Sequence, residues 1–154
     1  MKNKQPTPSI LLDTPFILPT LGINVGTEVS KGLKKLDETN AKIYYSQFSI
    51  LESLWVTSRF LTSQTFNEER FKIGLKSIMK ADRYTKVDEN PEIFNEALRL
   101  QKLGHKDMID NILYSTSLHL NLKLLTLDTQ LKKFIGDKGL KDTLISPNQI
   151  TKPL

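Results

Sequence analysis

The sequence predicts an α/β domain with a parallel sheet, and three observations support this fold class. Short, continuously apolar segments alternate with longer segments of helical periodicity. The length of 154 residues fits one domain with one sizeable core. The chain has no cysteine, so neither disulfides nor a cysteine-based metal site can stabilise it. We therefore expect a single domain over residues 9–154, preceded by a flexible segment over residues 1–8.

Four apolar segments are expected to form buried strands, because parallel strands covered on both faces lack polar alternation. They are residues 9–12, 42–45, 122–127 and 143–145, and residues 83–87 are a weaker fifth candidate. Right-handed crossovers between them place helices on both faces of the sheet. This is a three-layer α/β/α arrangement.

Helices are expected in the segments between the strands. Pro91 suits a helix start, and Gly136 suits the position that follows a helix end. Phe48 and Trp55 share a helix with core-type residues, so we expect both in the core. The predicted helices are residues 27–39, 48–61, 67–80, 91–103, 107–121 and 129–135.

Composition and charge exclude few functions. The 22 basic and 17 acidic residues give a formal charge of +5, which permits a polyanionic partner. No apolar run approaches the roughly 20 residues that a membrane-spanning helix needs. The first residues are too polar for a signal peptide, so a cytoplasmic location is expected.

Two acidic residues directly follow predicted strands. Asp13 comes after the apolar run that ends at Leu12, and Asp128 comes after the run that ends at Leu127. Parallel sheets bind ligands beyond the carboxyl ends of their strands, so both residues are candidates for a site there. Capping or turn roles for each residue alone remain open.

Two further acidic residues lie on predicted helices. Glu52 is about two turns into the helix after the second strand, and Asp110 is in the first turn of the helix before residues 122–127. Asp110 is flanked by core-type residues, where an unpaired carboxylate is costly. Asp107 has a simpler role, because an acid at that position is expected to cap the helix.

A divalent cation would explain a group of carboxylates. Oxygen ligands without cysteine suit hard ions such as Mg²⁺ or Mn²⁺. Such an ion relieves the mutual repulsion of the acids, activates a water and stabilises the charge on a phosphate that is being cleaved. Lys132 and Lys133, just after Asp128, could attract a polyanion. These residues favour a metal-dependent nuclease.

Other enzyme classes fit less well. Phosphatases of the haloacid-dehalogenase type use Asp-x-Asp after the first strand, and here Pro15 stands where the second Asp would be. A receiver domain needs an acidic pair at the first strand end, where this chain has a single Asp. There is no G-x-x-x-x-G-K-[ST] phosphate loop.

Three stretches resemble the PIN-domain nucleases, a family that includes the toxin ribonucleases of toxin–antitoxin operons. Residues 10–14 resemble its opening strand, which ends in Asp and a small hydroxyl residue. Residues 45–52 resemble its strand–Ser–helix segment ending in an acid. Residues 110–128, followed by Leu131 and Phe134, resemble its most distinctive pattern, in which a helix opens with Asp and a strand ends in Thr-x-Asp.

The resemblance implies a five-stranded parallel sheet flanked by helices and, in most members, hydrolysis of RNA. It also implies a pocket for Mg²⁺ or Mn²⁺, in which Thr126 and Thr14 would support the acids. A protein antitoxin and a second copy of the chain are expected partners. The residues implied as metal ligands and catalytic groups are Asp13, Glu52, Asp110 and Asp128.

The leading hypothesis is therefore an endoribonuclease that uses a metal-activated water. Two alternatives remain open at this stage. One is a nuclease for structured DNA or flap ends, and the other is a binding module of the same fold for RNA or protein.

Overall fold

A computed structural model of the protein describes residues 7–150. Most of the predicted flexible segment (residues 1–6) and the last four residues of the predicted domain lie outside this range. The described residues form a five-stranded sheet in which every pair is parallel, with strand order β3-β2-β1-β4-β5. This confirms the predicted fold class. The strands are β1 Ser9–Leu12, β2 Lys42–Tyr45, β3 Tyr84–Lys86, β4 Lys123–Leu125 and β5 Leu144–Ile145.

Helices connect the strands, and most of them begin directly after a residue whose polar side chain caps the helix. The side chains of Ser46, Asn67, Asn90, Asp107 and Asp128 each accept a hydrogen bond from a first-turn N–H, which satisfies a donor that the helix cannot pair. The capping role expected for Asp107 is thus confirmed. The helices are α1 Thr27–Asp37, α2 Gln47–Ser58, α3 Glu68–Lys80, α4 Pro91–Leu103, α5 Met108–His119 and α6 Thr129–Asp137. Three short 3₁₀ turns cover Thr14–Phe16, Leu18–Leu21 and Pro147–Gln149.

The central strand β1 faces a separate apolar cluster on each side. Ile10 and Leu12 pack with Phe16 and other residues of one cluster, whereas Leu11 packs with Leu124 in the other. Successive side chains of a strand point to opposite faces, so burial of all three requires helices on both faces. β1 is therefore held rigidly in the middle of the molecule, directly before Asp13.

The predicted core position of Trp55 is wrong. Its side chain is 54% exposed, while Ser49, Ser53 and Thr57 of the same helix are buried. Helix α2 contacts the Thr14–Phe16 turn and α5, and small side chains allow that close approach. Leu51, Leu54 and Trp55 of α2 are therefore left exposed, whereas Ile50 is partly buried against the core. Phe48 is half-buried and packs edge-on against Phe94.

The predicted end of α6 is also wrong. The helix continues through Gly136 to Asp137, and the glycine with a left-handed backbone is Gly139, at φ 64°. Gly136 is exposed and has a helical backbone. A glycine is tolerated inside the helix there, at a small cost in conformational entropy.

A close contact fixes the segment that follows Asp13. A Cβ atom on Gly74 of α3 would lie 2.0 Å from the carbonyl oxygen of Thr20 and 3.1 Å from the Cα of Leu21. Only glycine lets α3 pack so closely against the Leu18–Leu21 turn. This packing supports the backbone beneath the carboxyl edge of the sheet.

Within residues 7–150, no helix is long and apolar enough to cross a membrane. The cytoplasmic location stays a prediction.

Candidate functional site

The strand order creates a crevice at the carboxyl edge of the sheet. From β1 the chain moves to β2 on one side, and it returns later to place β4 on the other. Open parallel sheets bind ligands at such a switch point. Asp13 follows β1 and Thr126 follows β4, so the crevice lies between these two residues.

Asp13 is almost fully buried, at 7% exposure, and both of its carboxylate oxygens are hydrogen-bonded. The backbone N–H of Thr14 donates to Oδ1 at 2.8 Å, and the Thr126 hydroxyl donates to Oδ2 at 2.6 Å. These bonds fix the orientation of the carboxyl group across the two strands. The first of them also caps the turn that begins at Thr14.

Thr126 connects two of the predicted acids. Its hydroxyl donates to Asp13 and accepts a hydrogen bond from the backbone N–H of Asp128 at 3.1 Å. Asp128 in turn accepts from the N–H of Leu131 through Oδ1 at 2.9 Å, which caps α6. Asp128 therefore has the capping role that the sequence left open, and its carboxyl group also lies beside another acid.

That other acid is Asp110, which is half-buried in the first turn of α5. The pKa of the Asp110 carboxyl is raised to about 9, mainly by burial, then by a hydrogen bond with Asp128 and by the charges of Asp13, Asp107 and Asp128. A carboxyl group with this pKa is protonated at neutral pH. The proton allows Asp110 and Asp128 to share a hydrogen bond.

The remaining acid, Glu52, is half-buried on α2 and acts on Asp13 through its charge. The pKa of Asp13 is raised to about 6: burial is the largest cause, the charges of Glu52 and Asp128 add to it, and hydrogen bonds from Thr126 and Thr14 oppose it. The structure therefore brings all four predicted acids into one electrostatically coupled group. Within residues 7–150, none of the four forms an ion pair with lysine or arginine.

The predicted supporting residues occupy different environments. Thr14 is buried, and its hydroxyl oxygen has no hydrogen-bond partner among the described residues. Lys132 lines a cleft beside Asp128, whereas Lys133 is exposed and lies outside that cleft. Only Lys132 is therefore placed directly next to the acids.

One further acid, which was not predicted from the sequence, lies at the same edge of the sheet. Glu89 follows β3 and accepts a hydrogen bond from the Ser46 hydroxyl at 2.6 Å and one from the Gln47 amide at 3.4 Å. Ser46 also caps α2 by accepting from Phe48 N–H at 3.1 Å, so Glu89 helps to orient the helix that carries Glu52. Its position just beyond the weakest predicted strand was the signal that could have identified it.

A second polar contact orients the start of α5. The side chain of Asn111, next to Asp110, bonds to the His105 ring at 2.8 Å and donates to the His105 carbonyl oxygen at 2.7 Å. The His105 ring also packs against Phe134 of α6, with 5.1 Å between ring centroids. The turn before Asp110 is thereby tied to the helix after Asp128.

The residues present suit a divalent cation. Within residues 7–150, no three or more Asp, Glu or His side chains have the spacing of a formed metal site. Burial and neighbouring acids nevertheless raise the pKa values of Asp13 and Asp110, and no lysine or arginine within residues 7–150 forms an ion pair with any of the four acids. A hard cation would supply the missing positive charge.

Replacement of Thr126 by valine should weaken both folding and chemistry at this site. The change removes the donor to Asp13 and leaves the Asp128 N–H without its acceptor, at a cost of about 1–3 kcal/mol in the free energy of unfolding. Any metal-dependent activity should fall roughly tenfold to a hundredfold, as for other groups that orient metal ligands. Urea denaturation and cleavage rates measure the two effects. Thr126→Ser keeps the hydroxyl and should restore both, and a fully active Thr126→Val protein would contradict this role.

A parallel α/β fold with a cluster of acids at its switch point defines a class of proteins that bind cations or phosphate groups at that edge. The comparison with protein families is more specific, because the PIN-domain model matches residues 10–136. The chain therefore belongs to the PIN-domain family, a family of nucleases. A comparison with curated proteins finds no match.

Solved structures share the fold at low sequence identity. A toxin–antitoxin complex from Klebsiella pneumoniae matches at a TM-score of 0.60 and 17% identity, covering 90% of this chain and 97% of that one. VapBC2 from Rickettsia felis, bound to a promoter DNA fragment, matches at 0.60 and 17%, covering 90% and 98%. VapBC-1 from nontypeable Haemophilus influenzae matches at 0.59 and 18%, covering 91% and 98%.

Proposed function

We propose that the protein is a metal-dependent endoribonuclease that hydrolyses RNA phosphodiester bonds. The observation that carries this proposal is the group of four acids at the sheet edge, in which two pKa values are raised and no acid forms an ion pair with a lysine or arginine of the described residues 7–150. Such a group is costly unless it binds positive charge. Membership of the PIN-domain family supports nuclease chemistry at this site.

The ligands of the proposed Mg²⁺ or Mn²⁺ site are Asp13, Glu52, Asp110 and Asp128. When bound, such an ion lowers the pKa of a water molecule and neutralises charge on the phosphate. No nucleophilic side chain is then needed. Asp110 must lose its proton to act as a ligand, so cation binding and proton release are coupled.

The other residues of the site have positioning roles in this proposal. Thr126 holds Asp13 in one orientation through its hydroxyl, and Thr14 supports the same carboxyl group through its backbone N–H. Lys132 and Lys133 attract the RNA backbone, and the effect of Lys132 is stronger because it adjoins Asp128. Positive charge beside the acids attracts the polyanion without neutralising the proposed metal ligands.

Cleavage of end-labelled RNA and DNA of the same sequence, with MnCl₂ or with EDTA, tests the function. RNA cleavage that requires the metal supports it. DNA cleavage in place of RNA cleavage supports the alternative of a DNA nuclease. Binding of RNA without cleavage in any divalent metal supports a binding module and contradicts the proposal.

We also propose a protein partner of the antitoxin kind, which would cover an apolar surface on α2 and α3. Leu54 and Trp55 are 45% and 54% exposed, and Leu61, just beyond α2, is 60% exposed. Beside them, a cleft of about 540 Å³ is lined by Leu54, Leu61 and Phe71. Exposed apolar surface of this kind marks sites of protein association, and one of the matched structures is a toxin–antitoxin complex. Self-association as a dimer stays a prediction.

Leu54→Asp should break the complex with such a partner. The partner to test is the product of any small open reading frame that adjoins this gene, produced together with the chain. A charge in the cleft should raise the dissociation constant at least tenfold without affecting RNA cleavage by the isolated protein. Leu98→Asp on α4 is the matched control, because Leu98 is 63% exposed and lies outside the cleft. Equal affinity of the Leu54→Asp and wild-type proteins would contradict this surface.

A further inference from the structure

A small cleft adjoins the acidic site on the β5 side of the sheet. It has a volume of about 180 Å³ and includes Thr126 and Asp128 in its wall, so one side of it is shared with the acids. Pockets that enclose drug-sized molecules measure roughly 300–1,000 Å³, so this cleft suits a smaller, ring-sized group. We call it the side cleft. Its remaining walls include the apolar Leu127, Leu144 and Ile145, the charged Glu28 and Lys132, and Gln149.

The side cleft combines apolar walls with a fixed hydrogen-bond donor. Gln149 Oε1 accepts from the backbone N–H of Ser146 at 2.9 Å and from the Ser146 hydroxyl at 3.3 Å. These two bonds determine which way the amide faces. Its Nε2 group donates to no other residue within the described range 7–150, so two N–H donors are available in the cleft.

This chemistry matches a nucleobase. A base has flat apolar faces, which leucine and isoleucine side chains can contact, and edge acceptors, which an amide N–H can read. Lys132 is the basic residue of the cleft wall and could contact the phosphate attached to a bound base. Proteins recognise RNA sequence mainly through unpaired bases that are turned out of the strand, and the size of the side cleft admits one such base.

We propose that the side cleft binds one unpaired base of the RNA, next to the phosphodiester that is cleaved, and that Gln149 Nε2 donates to an acceptor on the edge of that base. This rests on the proposed function, because the shared wall at Asp128 places the base beside the acids. Gln149 is thus the residue that sets a preference for the base adjoining the cleavage point.

Gln149→Glu tests this assignment with little structural change. The carboxylate keeps the acceptor for Ser146 but removes the amide donors. The ratio of kcat/KM between RNAs that differ only at the base beside the cleaved bond should change about tenfold, the value of one good base-edge contact. Gln130→Glu is the control: it adds the same charge on α6, next to the site, from an exposed position outside the cleft. Equal base preference in wild type and Gln149→Glu would overturn the proposal.

A binding experiment in EDTA separates this proposal from catalysis. A short RNA containing 4-thiouridine is irradiated with the protein, and cross-linked peptides are identified by mass spectrometry. We expect cross-links to the peptides that contain Asp128 or Gln149. Gln149→Glu should weaken these cross-links at least threefold, and Gln130→Glu should leave them unchanged. This result supports the base site even if the protein cleaves no RNA with metal. Metal-dependent cleavage together with no cross-links to these peptides overturns the base site while the nuclease function stands.

Discussion

Replacement of Asp13 by asparagine is expected to lower RNA cleavage at least a hundredfold while the domain stays folded. The amide keeps the shape of the side chain: its oxygen can still accept from Thr14 N–H, and its Nδ2 can donate to the Thr126 hydroxyl oxygen in place of the bond that Asp13 accepts. It lacks the charge needed to bind a divalent cation. Loss of about 3 kcal/mol of transition-state stabilisation corresponds to a rate change of roughly a hundredfold or more. Initial rates with MnCl₂ on end-labelled RNA provide the measurement.

The stability of the same variant gives a second, independent readout. Burial and neighbouring acids disfavour the charged form of Asp13, so a neutral amide should leave the metal-free melting temperature unchanged or higher. Asp137→Asn is the matched control, since Asp137 is exposed at the end of α6 and should retain full activity. An Asp13→Asn protein that cleaves RNA at the wild-type rate would refute the proposed metal site. An inactive and unstable variant would instead indicate a structural role for Asp13.

Asp128→Asn should produce a loss of similar size, and the double variant should be little worse than either single one. Ligands of one ion act as a unit, so their effects on rate do not add. Asp128 also caps α6, but asparagine is an equally good cap, so the helix start is preserved. Fully additive losses in the double variant would mean that the two residues act separately.

Asp13 and Asp128 could be found from sequence because chain order alone places them near one edge of the sheet. A parallel sheet brings the carboxyl ends of its strands to one edge, so residues that directly follow β1 and β4 had to lie close together. The hydrogen bond between Thr126 and Asp13 is the outcome. Glu52 and Asp110 lie on helices, where the family resemblance was needed to connect them with the strand ends.

Other features depend on packing that periodicity does not encode. One face of α2 carries small hydroxyl residues, and the opposite face carries large apolar ones. Hydrophobicity alone predicts that the apolar face is buried, but the structure buries the face with the hydroxyl residues. Trp55 is exposed because the neighbouring turn approaches too closely to admit a large side chain. The side cleft is likewise built from β4, β5 and the turn after β5, which no local pattern connects.

The metal-free protein is expected to lose stability as the pH rises from about 4 to about 9, and Mg²⁺ should reverse this loss. The folded-state pKa values of Asp13 and Asp110, about 6 and about 9, exceed the ordinary value of 3.8. Between 3.8 and these values the folded state binds more protons than the unfolded state, so the free energy of unfolding falls with increasing pH. The contribution of Asp13 is lost by about pH 6, whereas that of Asp110 continues to decline until about pH 9.

Urea denaturation in EDTA at several pH values measures this trend, and Asp110→Asn isolates its upper part. An uncharged asparagine does not titrate, so the difference in unfolding free energy between wild type and variant should change between pH 6 and 9. The slope is at most about 1.4 kcal/mol per pH unit for one proton. The control Asp137→Asn should follow the wild-type curve. Because the cation competes with the proton on Asp110, Mg²⁺ should stabilise the wild type more at pH 9 than at pH 6. A difference curve that is flat across this range would show that Asp110 is already charged in the folded protein, and that the acids are not close enough to share one ion.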